Sequence, residues 1–169
     1  MTPKMASVRP AVAVMTRAAG FVSGLFLVAM MLITVADVTL RTAFRLPITG
    51  TYDLVQLFLV GNVFLSIPDV FLRNENIVID FVDHVLGRPA VALLEAAANL
   101  AALAFLAILA WRMVPAALDA MRFGEVSPDL SIPMGVHWGL MIAGIVLALA
   151  PAALLLAASM RSLLAPGSR

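Results

Sequence analysis

The chain has 169 residues, of which 63% are apolar and 12% charged, a formal net charge of +1, and a mean hydropathy of +1.05. Soluble domains are about half apolar and a quarter charged, so a water-soluble fold of this length has no way to hide this much hydrocarbon. The near-zero charge, with no basic patch interleaved with aromatics, excludes a nucleic-acid groove, and the absence of cysteine excludes disulfides, thiolate metal sites and cysteine nucleophiles.

The composition therefore predicts an all-α integral membrane protein, and four segments are apolar enough to cross a bilayer. The first, residues 18–40, contains an uncharged run from Ala18 to Ala36 that spans about 28 Å at helical rise, close to the hydrocarbon thickness. A cleavable signal peptide is the competing reading, since Lys4, Arg9 and Arg17 precede the run. The run exceeds an ordinary signal-peptide core, however, and three more apolar segments follow. Asp37 and Arg41 stand at i and i+4 where this span leaves the membrane, a spacing that permits an ion pair. Arg45-Leu46-Pro47-Ile48 then forms a short turn.

The second span, residues 52–72, is the shortest in its uncharged part and carries two polar groupings. Asp53 and Gln56 lie one turn apart at its start and either cap the helix or position a partner. Asn62, Ser66, Asp69 and Arg73, at spacings of four, three and four, form one polar stripe. Such a stripe is costly against lipid, so it faces the protein's own helices, a helix of a partner subunit, or an ion pathway. Between spans two and three, Ile77, Val78, Phe81, Val82, Val85 and Leu86 alternate with Asn76, Asp80, Asp83 and His84, the pattern of a short amphipathic interfacial helix. Asp80 and His84 at i and i+4 are two metal-ligand types without a third, so no metal site is assigned and the polar face is read as solvated.

The third span, residues 91–114, is built on alanine. Ala92, Ala96, Ala97, Ala98, Ala101 and Ala102 create small-x-x-x-small spacings, as do Gly135 and Gly139 in the fourth span, residues 133–159, and such spacings let helix backbones approach closely in lipid. Trp111, His137 and Trp138 fall near the outer span ends, where an aromatic belt is expected. Lys4, Arg9, Arg17, Arg73, Arg88, Arg161 and Arg169 fall on one side, against Arg41, Arg45, Arg112 and Arg122 on the other, which predicts both termini in the cytoplasm. No linker or repeat divides residues 1–169, so one membrane domain is expected. No nucleophile sits beside a base and no phosphate loop follows a strand, so no catalytic residue is assigned and an enzyme is not expected.

The order of these features resembles the small membrane subunit, the DctQ-type or Q component, of tripartite ATP-independent periplasmic (TRAP) transporters. The resemblance is carried by Asp37-x-x-x-Arg41 closing the first span, Pro47 in the turn, Asp53 opening the second, a basic residue before Ile77-x-x-Asp80, and Ser-Pro-Asp-Leu-Ser-Ile-Pro ending at Pro133. It covers the chain from Ala18 onward, with Asp53 where the family commonly has glutamate and Asn76 where it often has histidine. The resemblance implies a bacterial inner-membrane protein that scaffolds a large multi-span permease subunit. That partner would carry sodium and substrate, and a periplasmic solute-binding protein would deliver an organic acid or related solute. No cofactor is implied in this chain itself. A self-sufficient four-helix proton-coupled transporter and a non-transport four-span assembly protein remain as alternatives. The first would need an acidic residue deep within a span.

Overall fold

The computed structural model describes residues 10–73 and 88–164. These form four long helices: α1 (Pro10–Phe44), α2 (Thr51–Arg73), α3 (Arg88–Arg122) and α4 (Met134–Leu164). The expected interfacial helix, with Ile77, Asp80, Phe81 and His84, lies outside the described residues. All four helices are long and apolar enough to cross a membrane. Helix is what such runs must form, because hydrocarbon offers no partner for a free backbone N–H or C=O.

The helices are longer than the predicted spans. At 35 residues each, α1 and α3 reach about 52 Å and extend beyond the hydrocarbon. Pro68 and Pro151 lie inside α2 and α4, both fully buried, and neither ends its helix. Packing against neighbouring helices compensates the lost hydrogen bond.

Two connections join the helices at one end of the molecule, here the loop end. Arg45 (φ 56°) takes the left-handed conformation that stops α1, and Leu46 N–H turns back to the Leu40 carbonyl at 3.4 Å. At the end of α3, Gly124 (φ 63°) is the left-handed residue. Its own N–H donates to the Met121 carbonyl at 3.3 Å and Glu125 N–H to the Ala120 carbonyl at 3.0 Å, the paired bonds that close a helix at glycine.

The four helices form a row rather than a closed bundle. α1 packs on α2, α2 on α4, and α4 on α3, with only a slight contact between α1 and α4. α2 and α4 are therefore the middle of the row, and α1 and α3 its flanks. On α3 the buried residues Ala96, Asn99, Leu106, Met113, Ala117 and Ala120 recur at threes, fours and sevens, the seam of a left-handed helix pair. Against it lie Ile145, Ala148 and Ala152 of α4, with Phe64 and Phe71 of α2 completing the core. The opposite face of α3 exposes Phe105, Ile108 and Trp111, and that of α1 exposes Phe21, Leu25, Leu32 and Val35. Ridges this apolar are stable only against lipid or another membrane subunit.

Small residues set the closest approaches. A Cβ on Gly144 would fall 2.2 Å from the Phe64 carbonyl oxygen, so α4 and α2 touch backbone to backbone there. The expected Gly135 and Gly139 pair is only half used. Gly135 accommodates Met121, while Gly139 has nothing within 4 Å, because it points away from both neighbours in the row. Similarly, Ala96 is buried in the α3–α4 seam but Ala97, Ala98 and Ala101 are exposed.

Candidate functional site: polar locks along the helix row

At the loop end, Asp37 and Asp53 are both buried, and each ties a loop to a helix. The Asp37–Arg41 pair forms as the spacing predicts, at 2.6 Å. The other oxygen of Asp37 accepts from Ile48 N–H at 2.9 Å, so this carboxylate fixes the turn between α1 and α2 as well as its own helix end.

Asp53 turns away from Gln56, its neighbour in sequence, which is half-buried. Its Oδ2 accepts three bonds from the connection between α3 and α4: Ser127 hydroxyl at 2.6 Å, Asp129 N–H at 2.9 Å and Leu130 N–H at 2.7 Å. Ser127 in turn accepts from Ile132 N–H at 3.0 Å, and its own N–H donates to the Ile132 carbonyl at 2.9 Å. The Ser-x-x-x-x-Ile-Pro segment is thus a folded loop whose hydroxyl and backbone donors converge on one carboxylate. Gly50 completes the fit. Its φ of 83° suits glycine, and the Leu130 side chain occupies the space a Cβ would need, at 2.3 Å.

His137 follows from the same loop, one turn into α4. It was expected in an interfacial aromatic belt, but it is 2% exposed, and among the described residues neither ring nitrogen has a hydrogen-bond partner. The start of α4 lies under the loop held by Asp53 and against α2, which removes His137 from the surface. Trp138 packs against the core, and only Trp111, 76% exposed, faces outward as a belt residue would.

The stripe on α2 divides among three environments. Asn62 faces α1 and makes a reciprocal clamp: its side-chain amide donates to the Ser23 carbonyl at 3.0 Å, and Ser23 hydroxyl donates to the Asn62 carbonyl at 2.8 Å. Asp69 also faces α1, where Gly20 leaves it room, since a Cβ on Gly20 would sit 3.2 Å from it. Ser66 hydroxyl donates to the Val63 carbonyl of its own helix at 2.8 Å. Arg73 is exposed and pairs with Asp69 at 2.7 Å. A second clamp joins α3 to α4, where Asn99 donates to the Ser159 hydroxyl at 3.2 Å.

Ser23, Gly20, Ser127, Asn99 and Gly144 carry this architecture without having been singled out for it. For α1 the available signal was the cluster Ala19, Gly20 and Ser23 inside an otherwise bulky apolar run. For Asn99 it was an amide in the middle of an alanine-rich span, where a polar group needs a partner.

These groups bond helix to helix and loop to helix. The fold and its polar sites define a multi-pass helical membrane protein in which buried polarity serves to brace the assembly. Residues 30–162 match the family described as tripartite ATP-independent periplasmic transporters, DctQ component, and the chain belongs to that family. No curated protein and no solved structure gives a match. The matched region contains every residue of the loop-end lock from Asp37 to Pro133. The protein is accordingly a small permease subunit of a TRAP transporter, and membership in a transporter-component family points away from an enzyme.

Proposed function

We propose that this chain is the fixed frame beside the large permease subunit, in the bacterial inner membrane with both termini cytoplasmic and the loop end periplasmic. In this reading the large subunit binds sodium and moves an organic acid or related solute. A periplasmic binding protein delivers that solute, and this chain holds no cofactor. The observation that carries the proposal is the open row itself. Four helices are braced by polar locks at both flanks, yet among the described residues nothing covers the long apolar faces on α1 and α3. A moving transport element needs something rigid to move against, and a braced row with a free face supplies it. Stripe residues Ser66 and Arg73, at the exposed edge of α2, are available to that partner, while Asn62 and Asp69 act through α1.

Reconstitution into proteoliposomes tests the reading. Sodium-driven uptake is expected only when the large subunit, the binding protein and this chain are all present. Uptake by this chain alone would overturn the frame reading, as would full uptake by the other two components without it.

A further inference from the structure

Among the described residues, three of the four buried side-chain polar atoms without a hydrogen-bond partner belong to two side chains at the loop end. They are Oδ1 of Asp53 and both ring nitrogens of His137; the fourth, Oδ1 of Asp69, lies toward the other end of α2. Asp53 is fully buried and His137 is 2% exposed, so bulk water reaches neither. Leaving such groups unmet forfeits the hydrogen bonds they make in water, and native interiors nearly always supply a partner, from the protein or from an ordered water.

The chain path holds the two side chains close. Asp53 accepts from the Ser127 hydroxyl, Ile132 N–H donates to that same hydroxyl, and His137 follows five residues later in α4. The imidazole lies beyond hydrogen-bonding distance of Asp53, yet near enough to act on the carboxylate electrostatically. The carboxylate cannot turn toward the ring, because three donors pin its Oδ2. The start of α4 is held as well, by Met134 N–H donating to the Glu125 carbonyl at 2.9 Å. A gap longer than one hydrogen bond between two buried polar groups is the span of a bridging water. One carboxylate oxygen and one imidazole are too few donors for a cation, and no group of three His, Cys, Asp or Glu among the described residues could hold a metal. They suffice for a water molecule.

We infer that a buried water molecule joins His137 to Oδ1 of Asp53, so that one carboxylate holds the α3–α4 loop through Oδ2 and the start of α4 through Oδ1. The negative charge orients the chain of bonds. The water donates to Oδ1 and accepts from the ring, so a ring N–H, not a bare nitrogen, faces Asp53. The Asn62 and Asn99 clamps brace the flanks of the row, α1 to α2 and α3 to α4. This bridge ties the middle pair, α2 to α4, with His137 as the positioning residue of the Asp53 lock.

The test is nuclear magnetic resonance on the full-length H84Q chain, uniformly nitrogen-15-labelled in detergent micelles. The chain has two histidines, so His137 is then its only imidazole. A ring N–H with a nuclear Overhauser cross-peak to a long-lived bound water is expected, together with slow exchange at the Asp129 and Leu130 N–H groups that donate to Asp53. H137L fills similar space without a polar atom and should speed exchange at those two amides about two- to ten-fold, the effect of losing one net hydrogen bond. H137Q, whose amide can reach the same water, should stay within about two-fold of the parent. Unchanged exchange at Ile145 and Ala148, in the buried core, verifies that each variant is folded. The cross-peak needs no substitution at residue 137, so it decides the outcome even if H137L misfolds. A ring N–H without a water cross-peak would overturn the bridge. So would parent-like exchange at Asp129 and Leu130 in H137L, or exchange in H137Q as fast as in H137L.

Discussion

Gly144 offers the sharpest test of the row. Replacing it with alanine puts a methyl group 2.2 Å from the Phe64 carbonyl oxygen and 2.5 Å from its carbonyl carbon. Those are backbone atoms that no rotamer change can move, so α2 and α4 must separate by about 1 Å to restore van der Waals distance. Overpacking of this kind costs about 1–3 kcal/mol, here toward the upper end because backbone meets backbone. Alanine regains at most about 1 kcal/mol over glycine in helix propensity, which leaves a net loss of about 1–2 kcal/mol. Gly139, on the same helix with nothing within 4 Å, isolates the propensity term, and G139A should be neutral or stabilising by up to about 1 kcal/mol. The two variants should therefore differ by about 2–3 kcal/mol, or about 5–10 °C in Tm for a protein of this size. Thermal unfolding in detergent, followed by circular dichroism with both variants side by side, reads the difference. Equal Tm values for G144A and G139A would refute the backbone contact between α2 and α4, and with it the order of helices in the row.

Asn62→Leu removes one of the two clamp bonds between α1 and α2 and should lower stability by about 0.5–1.5 kcal/mol, measured as a Tm decrease against wild type. Asp53→Asn replaces a carboxylate that accepts three bonds with a neutral amide, so the loop over residues 123–133 should loosen. Maleimide labelling of a cysteine introduced at Pro128 is expected to be several-fold faster in D53N than in a wild-type background, with helix content unchanged. Reporter fusions at Ser127 and Ser168 should give periplasmic and cytoplasmic signals respectively, and the opposite pattern would invert the proposed orientation.

The Asp53 lock shows why part of the site was hidden. The Asp37–Arg41 pair was legible because helical geometry alone brings i and i+4 together, whatever the rest of the chain does. Asp53, by contrast, finds Ser127 seventy-four residues later, and only the docking of α4 against α2 brings that loop over it. The polar stripe was visible as a periodicity, but which neighbour it faced depended on helix order. Asn62 and Asp69 turned to α1 because Ser23 offered a hydroxyl and Gly20 left space. His137, expected at the interface, is buried for a related reason. Hydropathy measures how far a span extends, whereas depth and burial depend on how neighbouring helices are staggered.

By itself, the sequence determined that this protein is helical, that it crosses a membrane four times, and which pattern of features places it among small TRAP permease subunits. Hydrocarbon forces each apolar run to satisfy its own backbone, so that outcome is written locally. Tertiary structure alone decided that the helices stand in an open row in the order α1, α2, α4, α3, and that two buried carboxylates lock the loop end. Helix association in lipid has no bulk hydrophobic drive to fix it, so helix order follows from a few close contacts, Gly144 on Phe64 and Ser23 with Asn62 among them, between residues far apart in the chain.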